Sequence, residues 1–455
     1  MKHLNIPFIV ISLCLIGAQG FSQTPGWSNI RMGDEEIELF RDNYGVPHIY
    51  AKSFKGIYFG QGYVAAQDRL TQLEMYRRDA RGTLAEIRGE GELQHDQQMR
   101  RRGYSTAERW RIFASVDEET RTAFIGLRDG INHYINEAIE GNKLPQMFEK
   151  LGIKPEPWSV IDSIAIAEMM TWRFGSGGSE ELRLKSTLDK LIEKYGEKEG
   201  MRAFDDLIAL DDRDAPTTAP KAKSEKKKGG KKKAWVPNEN DTVASVRVDG
   251  EVLKQTVRDW DALLDHAKRE GLFHTWGSNA WVVAPKRSAS GNAMLFGGPM
   301  MGFRTPQIAH EVHLNGPASL DGKGMMNVIG MDFVGIPTVL IGHNQRMAWT
   351  TTSGGGDISD TYIEVLNPDN HHQYKFNGEW LDMERRAETI RVRQSDGSFK
   401  EVEEPIYRTI HGVVTGWDEK NHRAITVKHA WWGNYDYSML KAFLEFNRAE
   451  DVKDF

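Results

Sequence analysis

Apolar and polar residues alternate along the first strongly patterned segment, EIELFRDNYGVPHIYA, at positions 36–51. This period is typical of strands with one buried face, and the Asn-Tyr-Gly step at 43–45 interrupts it as a turn would. From residue 54 to residue 81 the apolar positions recur at steps of three and four instead. The pattern therefore predicts two strands joined by a turn and then a long amphipathic helix.

The rest of the chain divides into a helix-rich front and a strand-rich back. Helical periodicity continues over about 105–141 and 158–205. After residue 276, short apolar runs are separated by glycines and prolines, as in a β-rich region. These runs predict strands at 281–283, 294–296, 308–314, 338–341 and 347–349.

A basic, low-complexity segment separates the two parts. Residues 212–235 contain Pro, Gly-Gly and a stretch, Lys221–Lys233, with eight lysines and one glutamate. Like charges at this density repel one another and cannot be buried, so the segment is expected to be a solvated, protease-accessible linker. The net charge of the whole chain is -6, so nucleic acid is not an expected partner.

The first twenty residues have the pattern of a secretory leader. Lys2 and His3 precede an apolar run that ends near the small residues of Ala18-Gln19-Gly20. The run is too short to span a bilayer comfortably, which favours a cleaved signal peptide and a periplasmic or secreted protein with no membrane span. The single cysteine, Cys14, lies within the leader, so disulfides and thiol catalysis are not expected in the mature chain.

The stretch HTWGSNAWVV (274–283) is the strongest candidate for chemistry. No Gly-x-Ser-x-Gly elbow occurs, so an α/β-hydrolase serine is not indicated. A serine hydroxyl needs an adjacent base, and cleavage before Ser278 would supply its own α-amino group, which titrates at about 7.7–8.0. Gly277 suits the crowded backbone that such a cleavage needs. Taken alone, the Gly-Ser step is also compatible with an ordinary structural role.

Three sequence blocks carry a more specific resemblance. They are RDNYGVPHIYA with GQGYVAAQDRLTQLEMYRRDARGTLAEIRG, then GSNAWVVAPKRSASGNAMLFGGP, then GIPTVLIGHNQRMAWTTTSGGGDISDTYIE. In this order they resemble the penicillin acylase (penicillin amidase) family of N-terminal nucleophile hydrolases, with GGPMMGF most similar to the penicillin G acylase branch. The resemblance covers most of residues 36–455. It implies an α+β fold, the four-layer αββα sandwich of that superfamily, with additional helices from the α-chain.

The resemblance also implies a processed precursor. Its parts would be a signal peptide (1–20), an α-chain (21–211), a lysine-rich linker and excised spacer (212–277), and the start of a β-chain (278–455). The two chains would remain together as a heterodimer.

In the catalytic site that the resemblance implies, Ser278 is both the self-cleaving residue, cut after Gly277, and the acyl-forming nucleophile. The backbone N–H of Ser353 would donate to the oxyanion. Met300 stands where the family usually has Gln or His near the nucleophile's amine, which puts the tuning of the base in question. The substrate would be a small-molecule linear amide, and no organic cofactor is implied.

Further residues match the acyl-group pocket and the calcium site of the family. Arg173 and Phe174 fall on a helix end beside that pocket. The apolar character of the pocket positions suits an aromatic or aliphatic acyl chain, although ordinary core packing would explain each one equally simply. The pocket positions are Met170, Arg173, Phe174, Met300, Met301, Leu340, Ile341 and Thr351. The ligands of one structural Ca²⁺ would be Glu180, Asp357, Asp360 and the carbonyl of Ser359, although charged loop residues without metal are the simpler interpretation.

Members of the family continue for several hundred residues beyond the position of Phe455, and their oxyanion asparagine and a nearby arginine lie there. We therefore expect the printed chain to be a C-terminally truncated fragment. Two alternatives keep the enzyme class and change the substrate, to an N-acyl-homoserine lactone or a glutaryl-type cephalosporin. A third alternative is a non-catalytic binding protein or inactive fragment, which Met300 and the early end of the chain would explain.

Overall fold

The computed structural model describes residues 25–175, 181–207, 248–269, 277–301, 305–352, 358–433, 435 and 438–455. Helices dominate up to residue 269 and strands dominate from residue 278 onwards. The α+β class predicted from the sequence is confirmed.

The described helices are α1 Phe54–Arg81, α2 Ala85–Arg88, α3 Leu93–Arg102, α4 Thr106–Ser115, α5 Glu118–Glu140, α6 Gln146–Leu151, α7 Val160–Phe174, α8 Glu181–Tyr195, α9 Glu197–Leu207, α10 Gly250–Arg269 and α11 Met439–Arg448. The described strands are β1 Gly26–Met32, β2 Glu35–Arg41, β3 Pro47–Tyr50, β4 Ser278–Val283, β5 Met294–Pro299, β6 Ala309–Pro317, β7 Met325–Phe333, β8 Ile341–His343, β9 Ala348–Trp349, β10 Ser359–Asn367, β11 Asn370–Phe376, β12 Glu379–Asp382, β13 Glu384–Arg393, β14 Phe399–Thr409, β15 Gly412–Asp418 and β16 Arg423–His429.

The first sheet combines strands from both ends of the chain. Its order is β1-β2-β3-β6-β7-β8-β9, so strands before residue 51 lie beside strands after residue 308. The junction is the parallel pair β3–β6, in which His48 is opposite His313. Every other pair in this sheet is antiparallel. The predicted α-chain and β-chain therefore share one hydrogen-bonded sheet.

The second sheet is formed entirely by residues after 358. Its order is β12-β11-β10-β16-β15-β14-β13, and all of its described pairs are antiparallel. It has its own small apolar cluster around Leu366 and Ala424. Strands β4 and β5 form a separate two-stranded hairpin. The second sheet thus has an apolar core of its own, separate from the main core around α1, α5 and α7.

Helix α1 has the bounds of the predicted helix, with a kink at Arg69, whose φ of -137° and ψ of 26° are not helical. The side chain of Ser53 accepts a hydrogen bond from the Gly56 N–H at its start, and Gly82 ends it in the left-handed conformation, with φ 62°. Helix α5 crosses α1 at very short range. A Cβ at Gly130 would lie 1.9 Å from the Phe59 carbonyl oxygen, and one at Gly62 would lie 2.1 Å from the Leu127 carbonyl oxygen. Only glycine permits this approach of the two backbones.

The predicted helical stretch at 105–141 is two helices. Helix α4 begins with a capping box formed by Ser105 and Glu108. Helix α4 ends at its C-cap, Val116. The side chain of Asp117 then accepts a hydrogen bond from the Thr120 N–H and so caps the start of α5. The N-cap at Asp117 starts a new helix, while the apolar residues keep their helical spacing through the break. The spacing alone therefore predicted one helix where the structure has two.

Helix α10 lies within the predicted spacer. Its residues Leu253, Thr256, Leu263 and His266 are buried, at the steps of three and seven expected of one helical face. Trp260, on the same face, packs edge-on against Trp172 of α7 at 5.5 Å between ring centroids. Within the described ranges, no helix combines the length and the hydropathy that crossing a bilayer would require.

A buried histidine connects β6 to α1 and β7. His310 Nδ1 lies 3.1 Å from Asp332 Oδ1, and His310 Nε2 lies 3.1 Å from Asp68 Oδ2. Burial by itself would lower the pKa of His310, but the carboxylates of Asp332 and Asp68 outweigh it and raise the pKa to about 9. The histidine is therefore charged in the folded protein at neutral pH.

We expect the free energy of unfolding to fall as the pH rises from about 6.5 to about 9. Because the folded-state pKa of His310 is above its ordinary value of 6.5, its contribution is complete below pH 6.5 and is lost as the pH passes the folded-state pKa. The loss is on the order of 3 kcal/mol. Urea unfolding across this pH range would measure it.

The matched control is His313 on the same strand, whose pKa is lowered by burial, so that it stays neutral over this range. His310→Gln should flatten the decline, and His313→Gln should retain it. An unchanged decline in His310→Gln would assign the effect to another group.

Candidate active site

Ser278 is the first residue of strand β4, directly after a glycine in an unusual conformation. The φ of Gly277 is 155°, and a Cβ there would lie 2.8 Å from the Met300 methyl group. The Gly277 carbonyl oxygen accepts a hydrogen bond from the Met300 N–H at 3.1 Å. The positive φ strains any other residue before the serine, whereas the Met300 methyl group ends a flexible side chain and could move aside.

The β4–β5 hairpin holds Ser278 at the end of a short, well-ordered ladder. Ser278 is opposite Pro299, and Trp281 stacks on Phe296 with ring centroids 3.9 Å apart. A Cβ on Gly297 would lie 2.3 Å from the Thr350 hydroxyl oxygen, so β5 approaches the segment after β9 closely. Ser278 is half-buried.

A cavity of about 290 Å³ adjoins Ser278. Most of its wall comes from the C-terminal half of α7, the segment from β7 to β8 and the first turns of α11, and the ends of the β4–β5 hairpin and the segment after β9 complete it. The described residues that line it are Ala167, Met170, Thr171, Phe174, Gly175, Ser278, Met301, Met331, Phe333, Ile336, Leu340, Ile341, Thr351, Thr352, Met439, Leu440 and Phe443.

The wall of this cavity is almost entirely apolar. Phe174 stacks on Phe333 at 5.5 Å between ring centroids, with the planes 11° apart. Of the residues in the described ranges, none with a charged side chain lines the cavity. The hydroxyl of Thr171 is already committed to the Ala167 carbonyl, at 2.8 Å. The cavity therefore suits an apolar group whose polar end faces the hydroxyls of Ser278 and Thr351.

Seven of the residues predicted from the sequence line this one cavity. They come from five separate stretches of the chain, and the structure brings them together around Ser278. They are Met170, Phe174, Ser278, Met301, Leu340, Ile341 and Thr351. Their catalytic and binding roles stay predictions.

Two residues predicted for the substrate pocket are placed outside the lining. Arg173 is buried on another face of α7, where its Nη2 lies 2.7 Å from Asp79 Oδ2. Met300 is 45% exposed, and the Asn279 amide nitrogen lies 3.5 Å from its sulfur. Met300 contacts Gly277 and does not line the cavity. Arg173 connects α7 to Asp79 of α1.

The predicted oxyanion donor Ser353 and the predicted calcium ligands Glu180 and Asp357 lie outside the described residues. The other two predicted ligands are adjacent on β10. Ser359 is buried, with its hydroxyl 2.6 Å from His429 Nδ1, and Asp360 is exposed. An exposed carboxylate beside a backbone carbonyl offers the hard oxygen atoms that Ca²⁺ prefers.

Sequence reasoning missed the part of the wall that comes from distant elements. Met439, Leu440 and Phe443 share one face of α11, and Phe333 ends β7. Met439 and Leu440 precede Phe443 by four and three positions, which indicates an apolar helix face. This spacing does not identify the residues that the face packs against. No local signal connects them to Ser278.

The comparisons with known proteins give one consistent result. The sequence matches the Penicillin amidase family over residues 36–455. It is 30% identical over 423 residues to penicillin G acylase from Escherichia coli, a match that covers 89% of this chain and 48% of that protein. It is 26% identical over 403 residues to acyl-homoserine lactone acylase QuiP from Pseudomonas aeruginosa, which covers 87% of this chain and 42% of that protein.

A solved structure, the thermostable penicillin G acylase from Alcaligenes faecalis, is 34% identical where it matches. That match covers 41% of this chain and 98% of that one, with a TM-score of 0.38. The chain thus spans less than half the length of the two curated relatives named above. On the match from residue 36 to residue 455, the chain belongs to the penicillin amidase family.

Proposed function

We propose that this chain is part of a self-processing acylase that cleaves itself before Ser278 and then hydrolyses a linear amide through a Ser278 ester. The observation that carries the proposal is the position of Ser278. It begins a strand, follows a glycine that no other residue could replace without strain, and lies on the wall of an apolar cavity.

In the proposed reaction, the free α-amino group of Ser278 acts as the base. It takes the hydroxyl proton as Oγ attacks the carbonyl carbon of the amide, which gives a tetrahedral oxyanion. The same proton then passes to the departing amine as the carbon–nitrogen bond breaks. Water, deprotonated by the same α-amino group, hydrolyses the ester and regenerates the hydroxyl.

The first cleavage uses the same hydroxyl on the carbonyl of Gly277. Attack by Oγ would break the bond between the Gly277 carbonyl carbon and the Ser278 nitrogen, which takes up the hydroxyl proton and becomes a free amine. Hydrolysis of the resulting ester would restore the hydroxyl and leave Ser278 as a chain terminus. Ser353 would donate its backbone N–H to the oxyanion in the later reaction, a role that removes several kcal/mol from such barriers.

The acyl group would occupy the cavity. Because no charged side chain of the described residues lines it, an aromatic or aliphatic acyl group fits better than a glutaryl group, whose carboxylate would be buried unpaired. This favours penicillin-type or acyl-homoserine lactone substrates over glutaryl cephalosporins. The names of the relatives, penicillin G acylase and acyl-homoserine lactone acylase, support the same two classes.

The test uses the full-length gene product and two measurements. Intact mass should show two chains, one of which begins at Ser278, whereas one uncut chain would support the non-catalytic alternative. A panel of amides with aromatic, long aliphatic and glutaryl acyl groups should then show turnover of the apolar members. Turnover restricted to the glutaryl amide would overturn the substrate assignment.

The size of the cavity should limit the acyl group. Ile341→Phe narrows the cavity beside Leu340, so we expect kcat/KM for a bulky aromatic acyl group to fall about 10–100-fold while an acetyl amide is spared. Steady-state kinetics on both substrates would measure the ratio. Met325→Phe, on an exposed position of β7, is the control and should change neither value. An equal loss on both substrates would indicate distortion rather than occupancy.

We further propose that one Ca²⁺ is held by Asp360, the Ser359 carbonyl, Glu180 and Asp357. Bound there, the ion would stabilise the fold by linking the two chains. At a free Ca²⁺ concentration of about 100 times the Kd, binding should raise the free energy of unfolding by about 2.7 kcal/mol, and chelation of the ion should reverse this increase. Asp360→Ala should lose the calcium response in thermal unfolding, and Asp369→Ala, in the exposed turn after β10, should keep it.

The same proposal places the protein in the periplasm or outside the cell, because residues 1–20 resemble a cleaved leader. Its partners would be the amide substrate and, within one molecule, the α- and β-chains as a heterodimer. The β3–β6 pair gives these chains a hydrogen-bonded contact that does not depend on the spacer.

A further inference from the structure

Arg102, the last residue of α3, is a buried cation that forms no ion pair with any carboxylate of the described residues. It is 8% exposed, and its Nε and Nη1 have no hydrogen-bond acceptor within the described ranges. Its guanidinium lies over the Trp260 indole, 4.5 Å from the ring centroid. A cation–π contact contributes about 2 kcal/mol when desolvated, which is less than the several kcal/mol needed to bury a charge.

The contrast with the other buried arginines is consistent. In the part of the chain that the structure describes, each of them forms an ion pair. The pairs are Arg41–Asp68, Arg77–Glu74, Arg78–Glu74, Arg109–Glu168, Arg173–Asp79 and Arg408–Glu108. The fold therefore neutralises buried guanidinium groups as a rule, and Arg102 is the exception.

The charge on Arg102 persists at neutral pH. Burial lowers its pKa to about 10, against a small opposing effect of Asp259. The Asp259 carboxylate is engaged elsewhere, since it accepts hydrogen bonds from Gln94 at 3.3 Å and from Gln255 at 2.7 Å. It raises the pKa of Arg102 from a distance without providing an acceptor.

Arg102 lines a small cavity between α3, α8, α10 and the second sheet. Its volume is about 30 Å³, enough for about two water molecules or one monatomic ion, but not for an organic acid. Arg102 lines it together with three hydroxyl-bearing residues, Thr256, Thr361 and Thr415. Arg183 also lines it and pairs with Asp261 of α10.

Two of the three hydroxyl groups are only weakly engaged. Thr415 Oγ1 lies 3.4 Å from the Ile425 carbonyl oxygen, and Thr361 Oγ1 lies 3.5 Å from Glu181 Oε2. The hydroxyl of Thr256 donates more closely, to the Val252 carbonyl at 3.0 Å. Hydroxyl rotors at such distances can turn towards a better acceptor.

We propose that Arg102 and these threonine hydroxyls bind one small inorganic anion of the halide class beneath helix α10. The anion neutralises the buried guanidinium and accepts from its Nε and Nη1 groups. Since Trp260 and Thr256 belong to α10 and Thr415 belongs to β15, the bound anion also fastens α10 to the second sheet.

The test uses the uncut chain, obtained with Ser278→Ala, so that α10 is present whether or not the protein normally cleaves itself. Crystals soaked in bromide should show an anomalous peak within hydrogen-bond distance of Arg102. At constant ionic strength, replacing gluconate with chloride should raise the melting temperature by at least about 2 °C. Water alone at Arg102 in the bromide crystals would overturn the proposal.

Arg102→Met in the same background should lose the chloride response. Arg391→Met is the matched control, because Arg391 also lies over an aromatic ring, 4.1 Å from the Phe399 centroid, but is exposed. An equal chloride response in both variants would overturn the proposal. Thr361→Val, with a milder change, should weaken the response, which keeps the test decisive if Arg102→Met does not fold.

Discussion

Ser278→Ala should leave a single uncut chain and should abolish amide hydrolysis. The alanine has no hydroxyl to attack either the Gly277 carbonyl or a substrate, so both activities should fall together. By comparison with serine hydrolases that lose their nucleophile, we expect a decrease of at least about 10⁴-fold in kcat. Intact mass and amide turnover of the full-length gene product would measure the two effects.

Two matched variants separate chemistry from folding. Ser290→Ala removes an exposed hydroxyl in the turn between β4 and β5 and should leave both activities unchanged. Ser278→Cys retains a competent nucleophile and should still allow cleavage. Two chains cut before residue 278 in the alanine variant would rule out the proposed mechanism.

Arg173→Met should produce the largest loss of stability among the changes considered. Both Arg173 and Asp79 are buried, and burial of Asp79 is outweighed by Arg173 and His95, which hold the pKa of its carboxyl well below its usual range. Removing the guanidinium leaves this carboxylate buried with less compensation, at a cost of about 3–5 kcal/mol. Urea unfolding would measure the change.

Adding Asp79→Asn to Arg173→Met should cost less than the sum of the two single changes, because the second change removes the stranded charge. Arg385→Met breaks the exposed pair with Glu403 and should cost less than about 1 kcal/mol. Additive losses in the double variant would contradict a direct interaction. Since Arg173 is next to Phe174, activity towards bulky substrates should also decrease.

Local sequence patterns correctly predicted the helices and strands that are determined by residues close to them in sequence. The helix at 54–81 was correct because its caps, Ser53 and Gly82, lie at its ends. The predicted strand at 338–341 was wrong except for Ile341, where β8 begins. The Val339 N–H donates to the Asn447 side chain at 2.9 Å, and the Val339 carbonyl accepts from it at 2.7 Å. A side chain from α11 thus replaces a neighbouring strand, and no local pattern encodes that.

The candidate site shows the same division. The Gly-Ser step and the family resemblance were sufficient to select Ser278 and six other residues of one cavity. The contribution of α11 could not be predicted, because the sequence of an apolar helix face does not indicate which residues the face packs against. Arg173 was assigned to the pocket by its position next to Phe174, whereas adjacent residues on a helix point about 100° apart, and its side chain meets Asp79 instead.

The parallel pair β3–β6 has a consequence for the lifetime of the processed protein. It is made by residues that would belong to different chains after cleavage, in the middle of a seven-stranded sheet. Folding would then be unimolecular only once, before the cut, and any later refolding would require two separate polypeptides to find each other. The processed enzyme would therefore persist by slow unfolding rather than by an equilibrium with its unfolded chains, and heat inactivation should be irreversible and dependent on scan rate.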